Sequence, residues 1–156
     1  FWTGASGRRY VHTVYELLEC PPLPAANYVP FVQTGNLVYV SGQVPMGPDG
    51  IDHVGKLGAD YSVEQGMAAA RLCAINLLAQ MKVATGDLEK VTRCVKLNGF
   101  VNCTTDFGDQ PKVINGASNL IAEALGDKGK HARAAVGSSS LPFGVAVEVE
   151  GIFEVA

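Results

Sequence analysis

The sequence predicts an α+β fold: one mostly antiparallel sheet with two helices packed on one of its faces. Three observations carry that expectation. Residues 62–85 and 111–125 place apolar side chains at helical intervals between start and stop residues. Runs at 28–32, 37–41, 91–101 and in the closing stretch 131–150 alternate or are β-branched, as strands are. The resulting order, strand-strand-helix-strand-helix-strand-strand, gives a single sheet whose second face two helices cannot cover. At 156 residues the chain suits one domain that buries roughly two-thirds of its unfolded surface.

Taken in order, residues 1–9 (FWTGASGRR) read as loose and hold no apolar signal core. Residues 10–20 space Val14, Leu17 and Leu18 for a short helix closed by Pro21 and Pro22. Residues 21–26 are an extended connector. Strands at 28–32 and from Leu37 flank a Thr34-Gly35-Asn36 turn. Ser41-Gly42-Gln43 ends the second of them, where a glycine marks a bulge or a close backbone approach. Residues 45–60 hold two prolines and four glycines and read as a loop.

Ser62 and Gln65 have the capping-box spacing, and Gly86 supplies a left-handed stop. Between them Val63, Met67, Ala70, Ala74, Leu77 and Met81 form the core stripe. The next strand spans 91–101. Pro111 is preorganised for a first helical turn, and Val113, Ile114, Ala117, Leu120, Ile121 and Ala124 make a second stripe ending at Gly126. Asn115 lies off its centre, near the N-terminal end.

The closing stretch HARAAVGSSSLPFGVAVEVE organises the rest. Val145, Val147 and Val149 share one strand face, and Ala146, Glu148 and Glu150 the other. Arg133 sits among alanines. Either it faces solvent, or it is partly enclosed and awaits a carboxylate or phosphate, with Glu148 standing near that anion.

Net charge is −3, which argues against a general nucleic-acid binder. The basic cluster around 127–133 reads as a solvated turn. Charged residues make up 17%, a thin polar covering that favours an oligomer. No apolar run approaches the ~18 residues of a membrane span. The four cysteines lack C-x-x-C spacing and read as buried free thiols of a reducing compartment, so a cytoplasmic location is expected. His12, His53 and His131 share no metal-ligand spacing, and neither a metal nor a cofactor is expected. Phosphate-loop, dinucleotide and nucleophile-elbow motifs are absent.

Three blocks, ANYVPFVQTGNLVYVSGQVP, LEKVTRCVKLNGFVN and HARAAVGSSSLPFGVAVEVEGI, together resemble the YjgF-like reactive-intermediate (enamine/imine) deaminases, also known as the endoribonuclease L-PSP family. The resemblance implies residues 24–156 as a single YjgF-like domain behind an N-terminal extension, 1–23. It implies a chorismate-mutase-like fold assembled as a homotrimer, with small-molecule sites in the clefts between subunits. By the same resemblance Arg133 grips a substrate carboxylate and Glu148 orients the attacking water. Tyr28, Ser41, Gly42 and Asn115 line the cleft. The implied activity is hydrolysis of 2-imino or enamine acids to 2-keto acids and ammonia. Alternatives are a non-catalytic trimer that binds small carboxylates, and an endoribonuclease. Many members carry a cysteine two residues after the arginine; here that residue is Ala135.

Overall fold

The computed structural model describes residues 18–156. Strands β1 (Phe31–Thr34), β2 (Leu37–Gln43), β5 (Val91–Asn102), β6 (Ala132–Ser138) and β7 (Val147–Val155) form one sheet in the order β1-β2-β7-β5-β6. Every pairing is antiparallel except β5 with β6. The sheet is therefore mixed, with a parallel pair at one edge. Helices α1 (Val63–Thr85) and α2 (Gln110–Leu125) pack together on one face.

Helix α1 starts as its sequence dictates. Ser62 Oγ accepts from the Gln65 N–H at 3.2 Å, and Gln65 Oε1 accepts from the Ser62 N–H at 2.8 Å. It ends on Gly86 in the left-handed region, φ 77°. Residues 73–81 are buried without a break, so the helix is enclosed well beyond the expected stripe. That includes Asn76 and Gln80, whose amides donate to backbone carbonyls of Val44, Met46 and Pro22. By length and composition α1 could cross a membrane, but most of it is buried as a core helix.

Four expectations need correction. The first strand begins at Phe31 rather than at 28, because Pro30 offers no N–H to a ladder; Tyr28 lies before it. Residues 45–60 include a small hairpin, β3 (Met46–Gly47) with β4 (Gly50–Ile51). Ala124, on the last turn of α2, is exposed, and Cys20, unlike the other three cysteines, is exposed as well, since it stands just before the Pro21-Pro22 connector, outside the core. The helix expected at 10–20 is not among these corrections: Leu18 and Glu19 are helical, and its remainder, like the segment 1–9, lies outside the described residues.

Strand β7 is central. Val147, Val149, Phe153 and Val155 are buried under the helices, whereas Glu148, Glu150, Ile152 and Glu154 point to the open face. Three cross-strand rows cover that face: Val32-Tyr39-Ile152-Lys96, then Glu150-Asn98-Ala134, then Glu148-Phe100-Val136. Replacing Ser62 with alanine removes one half of the capping box. The expected cost is about 1 kcal/mol, read as a lowered denaturation midpoint with an unchanged slope.

Candidate functional site

A cavity of about 550 Å³ opens where β2 meets β7. Its apolar wall comes from Pro22, Leu23, Tyr28, Pro30, Met46 and Phe143, and its polar floor from Ser41, Gly42, Glu148 and Glu150. The register slips here, with Val40 opposite Gly151 and Gln43 opposite Val149, so Ser41 and Gly42 form a bulge. The bulge is tied down by Ser41, whose hydroxyl donates to Val29 O at 2.7 Å and whose N–H donates to Pro30 O at 2.9 Å. Gly42 leaves the space that the Glu148 carboxylate fills. A Cβ at position 42 would lie 2.1 Å from Glu148 Oε1.

Half-buried Glu148 is held above its ordinary carboxylate range, first by desolvation and then by the neighbouring Glu150 charge. Glu150 accepts from Asn98 Nδ2 at 2.9 Å, so the second carboxylate is fixed beside the first. Beneath the sheet, burial and the Glu148 charge push the Cys73 thiol well up, which leaves it an inert core group. Phe143 adopts φ 59°, a left-handed conformation unusual for a bulky residue, and is 59% exposed at the cavity. Among the described residues no three His, Cys, Asp or Glu side chains group as metal ligands.

Arg133 lies elsewhere. On edge strand β6 it registers with fully buried Leu97, so it points to the helix-covered side. Its guanidinium lies along one row of α2: Nη1 donates to Asn115 Oδ1 at 2.8 Å and Ser118 Oγ at 3.2 Å, and Nη2 donates to Pro111 O at 3.3 Å. Positions 111, 115 and 118 share one helix face. All three acceptors are neutral, and among the described residues no carboxylate pairs with Arg133. Its charge is anchored and uncompensated.

The structure thus divides the expected residues into two groups. Tyr28, Ser41, Gly42 and Glu148 share the cavity, while Asn115 joins Arg133. Within one chain the groups point from opposite faces of the same sheet. Sequence reading missed Glu150, Phe143 and Ser118. Glu150 was visible as the second glutamate of the alternating run. Ser118 follows Asn115 at helical spacing, but nothing local says that β6 will lie against that row.

These features define a class: a small α+β chain with a carboxylate cavity on an open sheet face and an anchored arginine at the sheet edge. A family model described as "YjgF/chorismate mutase-like, putative endoribonuclease" matches residues 8–152, and the chain belongs to that family. Protein TCP17 of Trypanosoma cruzi is 50% identical over 138 residues, covering 88% of this chain and 86% of that protein. The crystal structure of Atu1372 from Agrobacterium tumefaciens is similar over 98% of this chain and 99% of its own, with 49% identity and a TM-score of 0.83. TdcF of Escherichia coli with bound serine is similar at 26% identity and a TM-score of 0.61, over 88% of this chain and 95% of its own.

Gly42→Ala isolates the role of the bulge. The atom it strikes is the mobile end of Glu148, so stability should change by less than about 1 kcal/mol. The carboxylate itself should be displaced, and carboxyl-detected NMR should show Glu148 titrating nearer its ordinary range. An unaltered Glu148 titration would contradict the proposed fit.

Proposed function

We propose that the chain hydrolyses reactive 2-imino or enamine acids to 2-keto acids and ammonia, in a cleft formed where the edge of one copy meets the open face of another. The observation that carries this reading is the pairing of an anchored, uncompensated guanidinium with a half-buried carboxylate of raised proton affinity. Arg133 suits a planar carboxylate, which it can hold by parallel charge-assisted hydrogen bonds. Glu148 suits proton transfer, since a carboxyl of raised proton affinity can both take up and return a proton.

In the reaction, ionised Glu148 takes a proton from water as the water oxygen bonds to the imine carbon. The proton returns to the nitrogen of the tetrahedral adduct. The C–N bond then breaks, ammonia leaves, and the adduct's hydroxyl proton passes to Glu148 as the carbonyl forms. The substrate enters as the protonated imine, so iminium and water give ketone, ammonia and one proton, which Glu148 releases to solvent before the next turnover. Arg133 serves by holding the substrate carboxylate so that the imine carbon meets that water at about 3–3.5 Å. The apolar wall of Leu23, Met46 and Phe143 receives the carbon skeleton.

A second copy is required by this reading, because one sheet separates the two groups. The open face also exposes Val32, Tyr39 and Val136 at 55, 43 and 47%, an apolar surface suited to burial against another subunit. A homotrimer closes three such clefts by one rotation. The bound serine of TdcF, an amino acid with a carboxylate, is in keeping with an anion-gripping site. RNA cleavage fits less well. The cavity holds two carboxylates that repel phosphate, and His53 and His131 are engaged with Tyr61 and Ser118.

Light scattering should give a mass near three times the 16.4 kDa chain, and a monomer mass at micromolar concentration would overturn the assembly. Turnover is measured by letting an amino-acid oxidase generate imines in the presence of semicarbazide, and following competition with the trap. Arg133→Lys should lose at least about 100-fold, because a single ammonium cannot orient the substrate. Glu148→Gln should keep 2-keto acid binding and lose about 10²- to 10⁴-fold in turnover. Wild-type rates in both variants would sink the site.

The raised Glu148 carboxyl also sets a stability sign. Its folded value lies above its unfolded value, so its favourable contribution is complete at low pH and fades as pH rises through the folded value. Glu148→Gln should therefore stabilise the fold at about pH 8 but not below about pH 4, where the carboxyl is protonated in both states. Equal midpoints for the two proteins at both pH values would contradict the assigned burial.

A further inference from the structure

With His131 as the neutral imidazole, the hydrogen-bond chain behind Arg133 starts at a backbone carbonyl and admits one assignment of protons. Gly129 O lies 2.6 Å from His131 Nδ1, and a carbonyl oxygen can only accept, so Nδ1 carries the hydrogen. In the neutral ring Nε2 is then an acceptor, and it lies 2.9 Å from Ser118 Oγ. The Ser118 hydroxyl donates its single proton to that nitrogen. Its lone pairs are left facing Arg133 Nη1, which donates to them at 3.2 Å.

The origin of this chain is rigid. Gly129 is buried against the end of α2, where a Cβ would come within 2.5 Å of Ile121 O and 3.0 Å of Ala122 Cα. Close packing of backbone on backbone therefore fixes the carbonyl that orients His131. His131 and Arg133 are two residues apart and so project to the same side of the extended chain. Asn115 could hold Nη1 alone at 2.8 Å, but its own amide lies on an exposed helix position and is free to turn. Ser118 is half-buried, and its hydroxyl is turned by His131 so that it presents an acceptor to the guanidinium.

We propose that Ser118 and His131 are positioning residues for Arg133: His131 selects the orientation of the Ser118 hydroxyl, and that hydroxyl fixes the guanidinium for a substrate carboxylate. This rests on Arg133 being the anion anchor proposed above, but requires no catalysis. Neither residue touches the ligand. Both act by keeping the arginine fork in the one geometry that binds a carboxylate with two hydrogen bonds.

The test is calorimetric binding of 2-oxobutyrate, a stable 2-keto acid, to the intact protein, with thermal denaturation alongside. Ser118→Ala and His131→Phe should each weaken binding about five- to tenfold, the worth of one ordinary hydrogen bond, because Arg133 keeps its other two. The double variant should be no weaker than Ser118→Ala, since both break one chain. Ser118→Thr and His131→Gln, which keep the hydroxyl and an acceptor, should bind near wild type, as should Asn119→Ala on the exposed side of α2. In an Arg133→Lys background, Ser118→Ala should cost nothing further. Wild-type binding by Ser118→Ala and His131→Phe, with Arg133→Lys impaired, would overturn the relay while leaving the anion site intact. Wild-type binding by Arg133→Lys itself would remove the anion site on which the relay depends. Should Ser118→Ala fail to fold, His131→Phe against His131→Gln decides: equal affinities would overturn the proposal.

Discussion

Alternation along β7 places two incompatible surfaces on one strand. Valines and Phe153 hold the helix layer, and Glu148 and Glu150 stand on the other side with Tyr39, Ile152 and Phe100 as neighbours. Because the period of a strand is two, the register that buries the valines also fixes where the carboxylates go. The Ser41-Gly42 bulge opposite then decides how deep Glu148 sits, and depth is what raises its proton affinity. The raised carboxylate is thus a by-product of core packing, held by the same ladder that holds the sheet.

The edge strand obeys a second constraint. β6 joins only β5, and its register sets Arg133 level with buried Leu97, which turns it toward α2 rather than toward Glu148. Neutral acceptors on that helix steady the guanidinium without cancelling its charge, leaving it able to bind an anion. A carboxylate in place of Asn115 would satisfy the arginine and compete with any ligand. The arrangement places an uncompensated guanidinium at the sheet edge and a carboxylate of raised proton affinity on the open face, with the sheet itself between them.

Much of this was legible locally. The capping box at Ser62 and Gln65, the stop at Gly86 and the Val/Glu alternation after Val145 are short-range signals, and each element formed where its signal stood. The bulge at Gly42 was legible as well, since a glycine inside a strand needs a reason. Long-range pairing was not. No residue near Arg133 says that β6 runs parallel to β5 at the edge, so the opposite facing of Arg133 and Glu148 emerged only with the topology. Buried Asn76 and Gln80 were hidden for a similar reason: their partners, carbonyls of Val44, Met46 and Pro22, lie 32, 30 and 58 residues away in the chain. Tyr28 was placed in a strand because its type suits one, and Pro30 prevented it.

The central claim is that the grip of one copy serves the carboxylate of another, and subunit mixing tests it most directly. Arg133→Lys and Glu148→Gln chains carrying different tags are co-expressed, and assemblies bearing both tags are isolated. Each parent variant alone should be inactive toward imines. Mixed assemblies should regain about a third of wild-type turnover, because in a trimer that holds both variants one of the three clefts brings an intact Arg133 to an intact Glu148. Mixed assemblies as inactive as their parents would contradict the account, since they would mean that each chain supplies both groups to its own site.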